Sequence, residues 1–228
     1  MAAKPKPVET LGPDHTALVL FDSLNGYLHP DDPKKQAFLR ERNILPNMVK
    51  LLRGARRAGL RVFYPCGDHA ADGSDIVVRL TDTDMELRPW PKGPVAAAQR
   101  KAIAPKIRHG SKAAEIAPEL EPRPDFDVVV PKQRWNSFFQ TQLEVAMRSR
   151  GLDTLILAGG STDVGIASTA FGARDLDFGL VVVSDACYSA RGNNNQFFME
   201  RVFPRMGRVM TVKQTVDLML RGAGKSKR

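Results

Sequence analysis

Five short apolar runs recur along the chain with little alternation between polar and apolar positions. They hold three to six residues each, mostly Val, Ile, Leu or Phe, and they are Thr16–Phe21, Leu60–Tyr64, Val128–Val130, Thr154–Ala158 and Leu180–Ser184. Uninterrupted runs of this length are typical of strands buried on both faces of a parallel sheet. Arg208–Val212 is a weaker sixth run, which we expect at an edge of the sheet.

Segments with helical spacing of apolar residues fill the gaps between these runs. The predicted helices are Ile44–Ala58, Phe138–Arg150, Ser161–Asp177, Asn194–Phe203 and Thr211–Leu220. Glycines at positions 59, 151 and 179 follow the first three, as expected at helix ends. The alternation of strand and helix predicts an α/β fold of three layers, α/β/α, with a doubly wound, mainly parallel, Rossmann-like sheet of about six strands.

One segment, residues 65–125, breaks this rhythm and is rich in proline, glycine and charge. A connection this long inside a compact domain is usually functional, so we interpret it as a lid or a wall of the site. The remaining pattern predicts a single domain over residues 14–220, with flexible tails at residues 1–13 and 221–228.

Composition narrows the class of protein. The 228 residues are 43% hydrophobic and 26% charged, which is ordinary for a globular domain, and the two cysteines indicate reduced thiols in a cytoplasmic protein. The sequence shows neither a signal peptide nor an apolar run that could span a membrane. The net charge of +9 lies in the tails and on scattered helix faces, without an interleaved aromatic stripe, so we expect no nucleic-acid or membrane partner.

Polar residues follow the predicted strands where a parallel sheet binds ligands. Asp22 ends the first strand, Lys132 the third and Asp185 the fifth, while a Gly-Gly-Ser-Thr-Asp turn over residues 159–163 ends the fourth. Three of these features also have a structural interpretation: Asp22 as a turn residue, Lys132 as a solvated rim residue, and the hydroxyls of the turn as helix caps.

Three blocks of sequence resemble the isochorismatase-like hydrolases, the cysteine hydrolase superfamily. They are VLFDSLNGYLHP, VVPKQRWNSFFQTQLEVAMRSRGLDTLILAG and GGSTDVGIASTAFGARDLDFGLVVVSDACYS, within a resemblance over about residues 14–220. The resemblance implies that Asp22 is the catalytic aspartate and Lys132 the catalytic lysine. It places Gly165 where most members have a nucleophilic cysteine, and glycine has no side chain with which to form a thioester.

The resemblance offers a precedent for chemistry without that thiol. True isochorismatases also have glycine there and hydrolyse a vinyl ether with the aspartate. We therefore expect a hydrolase acting on a small polar or anionic molecule by non-covalent acid/base chemistry centred on Asp22 and Lys132. The residues expected to contact substrate are Asn25, Arg134, Trp135, Phe138, Ser161, Thr162 and Val164.

Two alternatives remain open. The Ser-Thr-Asp sequence at 161–163 resembles the amidase branch, so the chain is alternatively an inactive binding protein or an altered cysteine amidase without its nucleophile. We expect no cofactor and no metal, because His109 lies about forty residues after Asp68 and His69.

Aromatic residues such as Trp90, Trp135 and Phe139 are candidate subunit contacts, and the family resemblance implies a homodimer or homotetramer.

Overall fold

A computed structural model of the chain describes residues 10–75 and 105–226. It contains one six-stranded sheet in the order β3-β2-β1-β4-β5-β6, and every neighbouring pair of strands is parallel. The strands are β1 Thr16–Phe21, β2 Arg61–Gly67, β3 Val128–Lys132, β4 Thr154–Gly160, β5 Gly179–Tyr188 and β6 Arg208–Met210. The predicted α/β fold is therefore confirmed, and the weak sixth run lies at an edge.

Helices cover both faces of the sheet. They are α1 Asn25–Leu28, α2 Pro33–Glu41, α3 Ile44–Ala58, α4 Leu143–Arg148, α5 Ala167–Asp175, α6 Asn194–Phe197 and α7 Val212–Ser226. Helices α3 and α7 pack on one face, whereas α4, α5 and the segment that follows α6 pack on the other. Successive residues of β1 alternate between these two cores, so Leu18 and Leu20 belong to the first and Val19 and Phe21 to the second.

Two of the differences between the predicted and the observed helices have a clear local cause. The helix predicted over Phe138–Arg150 begins only at Leu143, because the side chains of Asn136 and Thr141 accept hydrogen bonds from backbone N–H groups and favour a loop. Helix α2 was not predicted, since its sequence is mostly polar. The Asp32 side chain caps its first turn by accepting from the Lys34 N–H, and Pro33 stands at its first position.

The fifth strand is longer than predicted, and this changes the interpretation of Asp185. Strand β5 continues to Tyr188 after a register shift against β4. The Asp185 carboxylate does not end the strand; it accepts a hydrogen bond of 2.7 Å from the Val212 N–H and so caps α7. Asp185 is thus a structural residue. Trp90, a candidate subunit contact, lies outside the described residues.

Candidate active site

Asp22 follows β1 at the carboxyl edge of the sheet. Its backbone has a φ of 45°, a left-handed conformation that is uncommon for a residue other than glycine, and its N–H donates to the Pro65 carbonyl at 2.9 Å. The side chain is only 10% exposed. Strained backbone around a buried carboxylate is a feature that clusters at functional sites.

Lys132 reaches Asp22 across the intervening strand β2. Its ammonium lies 3.0 Å from both oxygens of the Asp22 carboxylate, and its side chain is 5% exposed. The Gly67 N–H, at the end of β2, donates a third hydrogen bond to Asp22 at 2.8 Å. The structure thus brings the two residues that the sequence singled out into one buried ion pair, whose carboxylate also accepts a backbone hydrogen bond.

Phe21, which the sequence analysis overlooked, lies between this pair and Gly165. The Lys132 ammonium is 4.2 Å from the centroid of the Phe21 ring. A Cβ atom added to Gly165 would lie 2.1 Å from Cζ of the same ring, well inside contact distance. The one available signal was the bulky aromatic directly before the aspartate in LVLFDS.

The turn that carries Gly165 is anchored through Asp163. The carboxylate of Asp163 accepts hydrogen bonds from the Ser161 hydroxyl and, at 2.6 Å, from the Asn194 side chain, and Arg191 lies 3.5 Å away. The Thr162 hydroxyl donates to the Asn195 side chain at 2.6 Å. We expected both hydroxyls to contact substrate. The Ser161 hydroxyl is instead bonded within the turn, and the Thr162 hydroxyl joins the turn to α6.

Asp163 should make stability depend on acidity. Burial acts to raise its pKa, but hydrogen bonds from Ser161, Asn194 and Ser189 outweigh burial and hold the pKa below the usual 3.8. The unfolded chain then takes up this proton first, so the stabilisation is present above about pH 4 and disappears as the pH falls through the lowered pKa. We expect Asp163→Asn to lower the urea midpoint at about pH 7, by an amount that shrinks steadily as the pH falls below about 4. A loss that stayed constant as the pH was lowered would contradict this assignment.

The other predicted contact residues are more scattered. The Asn25 side chain donates to the Lys112 carbonyl at 3.2 Å, and Arg134 donates to the carbonyl of Asp75 at 3.2 Å. Trp135 is 44% exposed, whereas Phe138 is buried and stacks on Phe178 with ring centroids 5.3 Å apart. Phe138 thus lies in the hydrophobic core. The Val164 N–H donates to the Ser161 carbonyl at 3.2 Å.

Neither cysteine has the character of a nucleophile. Burial, reinforced by the Asp22 charge, raises the pKa of the Cys66 thiol strongly even though Lys132 acts in the opposite direction. Burial likewise raises the pKa of Cys187 to about 12. Both thiols are protonated near neutral pH, and a protonated thiol is unreactive.

Two histidine–carboxylate pairs lie at the end of β2. Nδ1 of His109 is 3.0 Å from the Asp68 carboxylate, and Nδ1 of His69 is 3.1 Å from that of Asp75. The fold therefore joins His109 to Asp68 despite their separation along the chain. Within residues 10–75 and 105–226, no group of three or more His, Cys, Asp or Glu side chains is arranged to hold a metal ion. The absence of a metal stays a prediction.

The fold and site together define an α/β protein with a buried aspartate–lysine pair at the carboxyl edge of its sheet. The family model described as "Isochorismatase domain" matches residues 16–214. The chain therefore belongs to the isochorismatase family.

Relatives and solved structures agree with this assignment. The chain is 37% identical over 95 residues to the uncharacterized isochorismatase family protein YecD of Escherichia coli O157:H7, covering 42% of this chain and 50% of YecD. It is 28% identical over 197 residues to the ureidoacrylate amidohydrolase RutB of Agrobacterium fabrum, covering 82% of each. An isochorismatase family protein from Burkholderia thailandensis superposes with a TM-score of 0.70 at 28% identity, over 94% of this chain and 99% of that one.

None of the helices in the described part of the chain has the length and apolarity required to cross a membrane.

Proposed function

We propose that this protein hydrolyses a small polar or anionic molecule by non-covalent acid/base chemistry at Asp22 and Lys132. The observation that carries the proposal is the buried pair itself, with the Lys132 ammonium 3.0 Å from the Asp22 carboxylate. Burying two charges is costly unless they are paired and hydrogen-bonded, so a sheet edge that keeps them together is a candidate for proton-transfer chemistry.

Each partner has a defined task in this proposal. For an amide, Asp22 takes a proton from water as the water oxygen attacks the carbonyl carbon. Lys132 then gives a proton to the departing nitrogen as the C–N bond breaks, and Asp22 passes its own proton to Lys132 to restore both groups. For a vinyl ether, Asp22 in its protonated form gives its proton to the terminal carbon. Water adds to the oxocarbenium ion and returns a proton to Asp22, and the C–O bond of the hemiketal then breaks as its hydroxyl proton passes to the departing oxygen. The likeness to RutB, named an amidohydrolase, supports the first version.

Gly165 sets the limits of this mechanism. By the family resemblance it occupies the nucleophile's position, and it offers no atom for a covalent bond to substrate. Neither Cys66 nor Cys187, both buried, is a substitute. We therefore propose that water, not the protein, attacks the substrate.

The experiment that tests the function is a panel of small amides, ureides, esters and vinyl ethers, assayed for hydrolysis and followed by intact-protein mass spectrometry. We expect turnover of at least one class and no mass increase on the protein during turnover. Binding of panel members with no hydrolysis of any class would instead support the alternative, an inactive binding protein.

We propose in addition that the protein is a homodimer or homotetramer. The loop carrying Trp135 and Phe139 packs on α5, where the Ser137 N–H donates to the Thr169 hydroxyl at 3.1 Å. Helix α5 also carries Phe171, so these three aromatics, 44%, 52% and 49% exposed, lie on neighbouring elements.

Sedimentation equilibrium tests the assembly. We expect the wild type to sediment above monomer mass and Phe171→Ser to shift it towards monomer. Phe197→Ser, at an equally exposed aromatic on α6, is the matched control and should leave the mass unchanged. A wild type at monomer mass would contradict the proposal.

A further inference from the structure

We infer that Phe21 is the residue that commits this site to chemistry without a covalent intermediate, because its ring fills the space that a nucleophilic side chain at position 165 would need. The inference rests on the proposed function in taking the Asp22–Lys132 pair as the reacting centre. It goes further, since it assigns the loss of covalent chemistry to two residues, Phe21 and Gly165.

The first step is steric. A Cβ at position 165 would lie 2.1 Å from Cζ, 2.4 Å from Cε1 and 3.2 Å from Cε2 of Phe21. The ring is 2% exposed and packs in the same core cluster as Leu157, Ile166 and Ala167. A ring enclosed in this way cannot turn out to solvent, so any side chain at 165 must displace packed core atoms.

The second step is electrostatic. The Lys132 ammonium is almost fully buried and makes its two short contacts with the Asp22 carboxylate. The face of the Phe21 ring also lies close to the ammonium, 4.2 Å from ring centroid to Nζ. An aromatic face attracts a cation, but the ring has no net charge. It also has no lone pair with which to attack a substrate as a nucleophile. The ring thus occupies the space beside Lys132, and the Asp22 carboxylate remains the charged partner of the ammonium.

Phe21 and Gly165 together determine whether a thiol at position 165 can react. Gly165→Cys alone will not restore covalent chemistry, because the thiol would have to share its position with the ring. Phe21→Leu removes the three ring atoms that the added Cβ would meet and keeps the side chain apolar. Covalent reactivity should therefore appear only when both residues are changed.

Thermal unfolding of a double-mutant cycle tests the steric step without any assay of turnover. Gly to Ala within a helical turn usually stabilises a protein, but we expect Gly165→Ala to lower Tm by about 3–10 °C because the core is overpacked. In the Phe21→Leu background the same change should lower Tm far less or raise it. Gly172→Ala is the matched control: its Cβ would meet Asn136, not Phe21, so Phe21→Leu should not alter its effect.

Alkylation tests the chemical step, in a background where Cys66 and Cys187 are both replaced by alanine. With iodoacetamide, the thiolate at position 165 displaces iodide and forms a thioether, which mass spectrometry locates by peptide. We expect Phe21→Leu/Gly165→Cys to react at least about tenfold faster than Gly165→Cys, because only the former can place its thiolate beside Lys132.

The outcomes separate this inference from the proposed function. Additive Tm shifts at positions 21 and 165, or equally fast alkylation of both cysteine variants, would overturn the role of Phe21 whatever the protein hydrolyses. If the Phe21→Leu/Gly165→Cys protein does not fold, the thermal-unfolding cycle of Phe21→Leu and Gly165→Ala still tests the role of Phe21. A wild type without hydrolase activity would overturn the proposed function and leave the cycle intact.

Discussion

Replacing Asp22 with asparagine is expected to lower kcat/KM for any hydrolysed substrate by about 10²–10⁴-fold, the usual contribution of a positioned general acid or base. The asparagine oxygen can still accept hydrogen bonds from the Gly67 N–H and from Lys132, so the local geometry is retained. The amide cannot take a proton from water at neutral pH. The loss should therefore appear mainly in kcat, with a smaller change in KM.

Asp153→Asn is the matched control for this substitution. Asp153 precedes β4 at the opposite edge of the sheet, where its carboxylate accepts from the Thr154 hydroxyl at 2.8 Å. The Asp153→Asn substitution removes the same charge as Asp22→Asn but lies away from the site, so we expect activity within about twofold of wild type. An Asp22→Asn protein that is folded by circular dichroism and as active as Asp153→Asn would show that Asp22 is not the acid/base group.

Replacing Lys132 with methionine is expected to reduce the free energy of unfolding by about 3–5 kcal/mol. The methionine fills a similar volume but leaves the Asp22 carboxylate buried without the ammonium, while the hydrogen bond from the Gly67 N–H remains. An uncompensated buried charge is among the most destabilising single changes. Urea unfolding with a constant m-value would measure the loss.

The double variant Asp22→Asn/Lys132→Met separates the pair from its surroundings. Because neither charge remains, we expect it to recover about 1–3 kcal/mol relative to Lys132→Met alone. Its hydrolytic activity should stay as low as that of Asp22→Asn. If the double variant were less stable than the wild type by the sum of the two single-variant losses, the two groups would not be coupled as the 3.0 Å contact indicates.

Much of the fold could be predicted because its signals are local. Strand β1 and helix α3 begin and end where the sequence indicates, since an uninterrupted apolar run defines the first and a left-handed Gly59, with φ of 80°, ends the second. Asp22 and Lys132 are 110 residues apart, yet their contact also follows from the pattern, because the carboxyl ends of parallel strands share one edge.

The features of the fold and site that the sequence did not predict depend on which side chains contact each other in three dimensions. Periodicity indicates that Phe21 is buried but not that its ring fills the space beside Gly165. Likewise, Asp185 looked like a site carboxylate until the extended β5 placed it at the first turn of α7. Polar helix α2 lacks an apolar stripe, so its Asp32 cap and Pro33 were its only signals.

In our proposal, this family member hydrolyses its substrate without a thiol nucleophile. The most direct test is turnover by a chain with no cysteine, and the two substitutions Cys66→Ala and Cys187→Ala suffice because the sequence contains only two. We predict that this variant, folded by circular dichroism, keeps kcat within about threefold of wild type, since both thiols are buried and protonated. A folded cysteine-free protein that loses turnover by two orders of magnitude or more, restored when Cys66 alone is returned, would contradict the claim and identify a displaced nucleophile.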